Sequence, residues 1–286
     1  MMSVAHAATR RHAAVPAAGA QLWLLFARSL ADRWRSLLAW AVGLAAIAAV
    51  QLTVYPSVSS SRQEMQAFVD QWPEAFREAF GLDAYASGPG YLNAELFSMV
   101  VPFVLVGVAI GAAAAATAGE EERGTADLLL SLPVTRGRVL LAKTLVMVTA
   151  VAVVAVSGWV VLVVGCPLVD LSIDSGDLAG GFAMAALLGV LYGAVALLVG
   201  ALSGSRALAL GAGVGLALAA FLLDALAPMA DWLESWQQAS PFDWAFGNSP
   251  LLQGSDGVMA LRMVGVTLLL LALAHLAFRR RDVTTR

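Results

Sequence analysis

Charged residues punctuate this chain at long intervals, and the stretches between them are apolar and of helical length. The charge-free runs are Ser36 to Ser61, Leu96 to Gly119, Thr144 to Val169, Leu178 to Ser205, Ala207 to Leu223 and Met263 to Phe278. A helix needs about 20 mainly apolar residues to cross a bilayer, because in lipid every backbone amide and carbonyl must be paired within its own segment. The last two runs reach that length by extending past Asp224 and Arg262, whose side chains can snorkel to the interface. Six transmembrane helices are therefore expected, at 36–56, 96–118, 140–166, 178–203, 206–226 and 258–279. The predicted fold class is an all-α integral membrane protein, with residues 20–286 forming one transmembrane domain behind a disordered tail, 1–19.

The intervals between the runs are patterned too. From Ala20 to Arg35, Leu22, Trp23, Phe26, Leu30 and Trp34 recur at helical spacing beside Arg28, Asp32, Arg33 and Arg35. That is the pattern of an N-terminal interfacial helix, or of an inward extension of the first span. Between the first two spans, Met65, Phe68, Val69, Trp72, Phe76, Ala79 and Phe80 oppose Glu64, Asp70, Glu74, Arg77 and Glu78. This predicts an external amphipathic helix, a lid or a plain anchor, that kinks or restarts at Pro73. Trp232, Trp236, Phe242, Trp244 and Phe246 read as an aromatic belt at the lipid headgroups.

Composition agrees, with 60% hydrophobic and 13% charged residues against about 25% charged in soluble domains. Charge also orients the chain. Six spans place 14 of the 17 basic residues on the face that carries both termini, and 14 of the 20 acidic residues on the other. Lys and Arg are retained on the cytoplasmic side, so the termini are expected in the cytoplasm of a multi-pass plasma-membrane protein. The segregation by side removes any argument for a nucleic-acid partner from the net charge of -3. No secretory signal is expected, because residues 1–19 contain no apolar core segment.

Catalytic chemistry is sparse. Gly137 to Thr144 is one residue from a phosphate-binding loop, but Ala142 replaces its second glycine and the segment opens a span, so Lys143 reads as a boundary anchor. Gly211, Gly213 and Gly215 lie inside an apolar run with no preceding strand and read as packing residues. His275 has no second ligand beside it, Cys166 has no disulfide partner, and Ser157 and Ser203 sit in no nucleophile motif. No metal or catalytic site is expected. The middles of the runs also lack the ionisable residues that ion-driven carriers use as relays, so energy for transport would enter elsewhere.

The port for that energy is Gly119 to Lys143, GEEERGTADLLLSLPVTRGRVLLAK. Glu120, Glu121, Glu122 and Arg123 form a charged patch, Gly124 permits a sharp bend, and Thr125 can cap a short helix over Ala126 to Leu132 that includes Asp127. Leu128, Leu129, Leu130 and Leu132 are too apolar for a solvated loop, and Pro133 ends the helix. Those leucines meet either a partner protein or the membrane surface.

This segment resembles the permease subunits of ABC-2 type ATP-binding-cassette transporters. Further similarity runs through RSLADRWRSLLAW at Arg28 to Trp40, GYLNAELFSMVVPF at Gly90 to Phe103, SPFDWAFGNSPLL at Ser240 to Leu252 and FRRRD at Phe278 to Asp282. The resemblance implies a permease that pairs with a second copy and with separate nucleotide-binding ATPase subunits, ATP and magnesium being held by those subunits and no cofactor by this chain. It makes the segment around Glu120 to Leu132, ended by Pro133, a cytoplasmic coupling helix between the second and third spans, and makes export of a drug, lipid or other amphipathic molecule the default. Against it stand two other classes, an ion-coupled carrier and a non-transporting membrane scaffold or sensor. Paired small residues, Gly107 with Gly111, Gly189 with Gly193 and Gly211 with Gly215, would let helices approach closely, within one chain or between two. Thr117, Thr149, Ser157, Tyr192 and Thr267 are the candidate polar positions along a path.

Overall fold

The computed structural model describes residues 18–79, 82, 84–117 and 135–280. Among them every regular element is a helix. Six are long and apolar enough to cross a membrane: Trp34–Ser60, Gly88–Ala116, Gly137–Val169, Ser175–Ser203, Arg206–Met229 and Gly257–Arg279, here spans one to six. They alternate in direction. One end of the bundle, the basic face, carries the helix Ala18–Ala31 and the start of span three; the other, the acidic face, carries the short helices Arg62–Val69, Glu74–Ala79, Asp231–Gln237 and Pro241–Phe246. The 1–17 tail and residues 118–134 lie outside the described residues.

Spans two and four form the centre: 61% of the apolar window of each is buried, against 17% in spans one, five and six. Small residues bring them together. A Cβ on Gly189 would lie 2.9 Å from the Leu105 carbonyl oxygen, and one on Gly193 would strike Met147 Sδ and Ala109 Cβ. Both glycines therefore serve contacts within the chain. Gly211 and Gly215 instead have nothing within 4 Å, while Gly213 between them packs against Ile110.

Span ends follow local capping chemistry. Asp174 Oδ1 accepts from the Gly176 amide at 2.7 Å and opens span four. Gly204, at φ +64°, closes it, and the Ser205 hydroxyl accepts from Leu208 N–H at 3.3 Å to start span five. Asp256 Oδ1 caps span six through the Val258 amide at 2.7 Å. On the acidic face the amphipathic segment breaks before Pro73 and restarts at Glu74, with Arg77 Nη1 3.4 Å from Asp70 Oδ1 across the break.

Two sequence expectations need correction. Span two begins at Gly88, eight residues before the charge-free run, so Glu95 lies inside it. Ser87 caps this start by accepting from Gly90 N–H at 3.0 Å, with Pro89 in the first turn. The helix passes through a π-turn at Asn93–Phe97 and resumes at Val100, which places Pro102 in a first turn where its missing amide costs nothing. The second correction concerns the aromatic belt. Trp232 and Trp236 are exposed, but Phe242 and Trp244 are buried in the bundle. Trp244 Nε1 donates to the Gln238 carbonyl at 2.7 Å, and the Arg262 guanidinium stacks 4.0 Å from the Trp244 ring centroid.

Candidate functional site

Two cavities enter the bundle from opposite ends. On the basic face, a cavity of about 420 Å³ lies between spans one, two, three and five. Its mouth carries Asp32, Arg33, Lys143 and Arg206, and its depth is formed by Leu37, Trp40, Val108 and Ala112. Gly107 and Gly111 line it, and the open space beside Gly111 is the cavity itself. Lys143 is thus a lining residue as well as a boundary residue. The helix Arg136–Gly165 runs unbroken through Gly137 to Thr144, which removes the phosphate-loop geometry.

On the acidic face a second cavity, also about 420 Å³, lies between spans two and five and the turn before span six. Phe97, Phe221, Phe242 and Phe246 line it together with Asp224 and Asp243. Burial pushes the Asp243 carboxyl above its ordinary range, with the Arg262 charge opposing.

Between the cavities the bundle is closed. Along span two the acidic-face cavity reaches Ser98 and the basic-face cavity starts at Gly107. These positions are nine residues apart, about 13 Å along a helix. Phe103 fills this interval: its ring centroid is 5.0 Å from Phe221 of span five and 5.7 Å from Phe242, and Phe242 lies 6.1 Å from Tyr192 of span four. Four elements therefore meet in one aromatic cluster at the inner wall of the acidic-face cavity.

A polar network ties span one to span two near the acidic face. Tyr85 Oη donates to Glu95 Oε1 at 2.7 Å and Gln51 Nε2 donates to Glu95 Oε2 at 3.2 Å. Tyr91 Oη donates toward Gln51 Oε1 at 3.1 Å. Burial, and then the bond to Glu95, raise the Tyr85 phenol well above its ordinary range. Both carboxylate oxygens of Glu95 are engaged, and Glu95 lines neither cavity.

Of the polar positions read from the sequence, Thr149, Ser157, Tyr192 and Thr267 do not line the two cavities. Ser157 Oγ bonds the Ala41 and Val154 carbonyls, Thr267 is buried, and Tyr192 Oη is buried without a partner. Neither they nor Thr149 appear in either cavity wall, and the Thr117 side chain lies outside what the structure describes. Cys166 is a buried free thiol. Glu120, Glu121, Glu122, Arg123, Gly124, Thr125, Asp127, Leu128, Leu129, Leu132 and Pro133 lie outside the described residues. The described chain on either side, Thr117 and Thr135, is at the basic face.

Two separate cavities on opposite faces of a six-span bundle fit a protein that moves material across a membrane. A family model described as ABC-2 family transporter protein matches residues 23–283. The chain belongs to the ABC-2 transporter family. It is a multi-pass membrane protein and an ABC transporter permease. No curated protein matches the chain. The match covers all six spans of the permease and both cavities, so the whole arrangement described above belongs to the family domain.

Phe103, Phe221, Phe242 and Glu95 were not singled out as site residues by sequence reasoning. For Glu95 a signal was present: Ser87, Gly88 and Pro89 form a helix-start pattern ahead of the charge-free run. For Phe103 and Phe221 there was none, since an aromatic in an apolar span reads the same whether it faces lipid or another helix, and Phe242 read as a belt aromatic.

Proposed function

We propose that this permease exports an amphipathic small molecule, drug or lipid across the plasma membrane, driven by separate ATPase subunits. The observation that carries the reading is the pair of cavities closed off by the Phe103, Phe221 and Phe242 cluster. A closed stretch between two cavities is what a conformational change would have to open for a solute to pass from one face to the other. The charged mouth and apolar depth of the basic-face cavity suit an amphipathic solute, and its volume is within the roughly 300–1,000 Å³ of small-molecule sites.

In this proposal the basic face is cytoplasmic, following the distribution of Lys and Arg. The segment from Glu120 to Pro133 docks on the ATPase. Glu120, Glu121, Glu122 and Arg123 make charged contacts with it, Gly124 and Thr125 set the turn, Asp127 continues the polar face, and Leu128, Leu129 and Leu132 fill a groove before Pro133 ends the element. ATP and magnesium belong to the partner, and the chain acts as a non-enzymatic subunit. Closure of two ATPases against a pair of permeases would pull span two, which runs into this segment, and part Phe103 from Phe221.

Glu95 brings an ion-coupled carrier back into consideration, because an ionisable group inside a span is a functional candidate. Its two bonded oxygens and its place outside both cavities favour a structural tie instead. Co-expression with candidate cassette ATPases tests the proposal. An equimolar ATPase that co-purifies and is stimulated by an amphipathic substrate is the expected result. A well-folded permease that transports without an ATPase would overturn it.

A further inference from the structure

A third cavity opens on the basic face, between spans three and six, and shares no lining residue with the basic-face cavity described above. It is the largest of the three, about 720 Å³. Its walls divide by chemistry. Toward the helix ends lie Thr135, Arg138, His275 and Arg279; deeper in the membrane lie Leu141, Leu268, Leu271 and Ala272. Among the described residues no lining residue is acidic.

Local packing builds the polar end. Gly137 lets span six approach: a Cβ there would lie 2.6 Å from His275 Cε1, so the imidazole rests against the backbone of span three. Arg138 Nη1 donates to Oε1 of Gln21 at 3.2 Å, and Gln21 is itself buried in the helix Ala18–Ala31. That contact fixes the guanidinium at the cavity rim. The apolar end is open to the bilayer side of the bundle, where Leu141 is 47% and Leu268 61% exposed.

We propose that this groove holds one anionic phospholipid from the leaflet at the basic face. The phosphate sits between Arg138 and Arg279, with His275 and Thr135 beside it, and an acyl chain lies along Leu141, Leu268, Leu271 and Ala272. Guanidinium groups pair with phosphate oxygens through charge-assisted bonds. Basic pockets between spanning helices at the membrane surface suit acidic headgroups. A soluble anion would use only the polar end and leave the long apolar wall uncovered. The lipid would bridge spans three and six directly beside Thr135. The inference does not depend on the transport direction or on the ATPase partner.

The test is native mass spectrometry of the full chain from micelles containing equal phosphatidylglycerol and phosphatidylcholine. One retained phosphatidylglycerol, in clear excess over phosphatidylcholine, is expected. Arg138→Gln with Arg279→Gln should lower that retention about tenfold, the scale of losing charge-assisted bonds. Ala272→Trp should displace the lipid while leaving every charge in place. If that variant fails to fold, Arg279→Gln alone, at an exposed position, still decides the question. Glycerol 1-phosphate, supplying the headgroup without an acyl chain, should not displace the lipid. Equal retention of the two lipids, retention unaffected by the arginine changes, or displacement by glycerol 1-phosphate would each overturn the proposal.

Discussion

The ring of Phe103 in span two meets that of Phe221 in span five edge-on, with centroids 5.0 Å apart and planes at 75°. Edge-to-face pairs add about 0.5–1.5 kcal/mol beyond the area they bury, enough to hold a contact and small enough to be broken by a conformational drive. Removing both rings should open the seal. Phe103→Ala with Phe221→Ala in proteoliposomes should raise passive leak of a small amphipathic dye without altering helical content. Leak at the wild-type level would place the barrier elsewhere.

Glu95 tests the tie between spans one and two. Glu95→Leu leaves the half-buried Tyr85 hydroxyl and Gln51 amide without their acceptor, at a cost below the ~1–3 kcal/mol of a fully buried unpaired group, since water can reach them in part. A lower thermal midpoint is expected, with Glu95→Gln milder because it keeps one acceptor. If the two variants melt together, the network contributes nothing to stability.

The glycines of spans four and five should respond oppositely. Gly189→Ala sets a Cβ 2.9 Å from the Leu105 carbonyl oxygen, and such overpacking costs about 1–3 kcal/mol. Gly211→Ala meets nothing within 4 Å in a single chain and gains up to about 1 kcal/mol of helix propensity. Thermal melts of the two variants separate these effects. A destabilised Gly211→Ala that also shifts to a smaller species on a sizing column would show that span five packs against a second copy there.

Asp243 sets a pH dependence. Burial raises its carboxyl from the ordinary value of 3.8, and Arg262 only partly offsets this. A carboxyl that binds its proton more tightly in the folded state contributes stability fully present below 3.8 and lost as pH rises through its folded value. Asp243→Asn removes the ionised form. Its gain in melting temperature over wild type should therefore be larger at about pH 8 than at about pH 4. A larger gain at the acid end would reverse the sign and refute the assignment.

Charge reversal probes the proposed coupling segment. Glu121→Lys with Glu122→Lys should leave the purified permease folded yet abolish stimulation of the partner ATPase by substrate. Normal coupling in that variant would remove these residues from the contact.

Sequence alone determined the class and the count: an all-helical membrane protein with six spans, and the mixed-charge signature that resembles ABC-2 permeases. Those features are local. A span must satisfy its own backbone and be apolar over its whole length, so composition and spacing suffice. Tertiary structure decided what each apolar residue faces. Phe242 and Trp244 read as belt aromatics but are buried, while Trp232 and Trp236 of the same stretch are exposed. Gly189 and Gly211 sit in similar spans, yet one touches a neighbouring backbone and the other nothing in this chain. Glu95 could enter span two only because Gln51, 44 residues earlier, and Tyr85 supply its partners. The reason is physical: lipid tails are as apolar as leucine, so hydrophobicity marks what enters the membrane but does not separate a lipid-facing side from a protein-facing one. Only packing across spans makes that distinction, and the cavities and the aromatic cluster exist at that level.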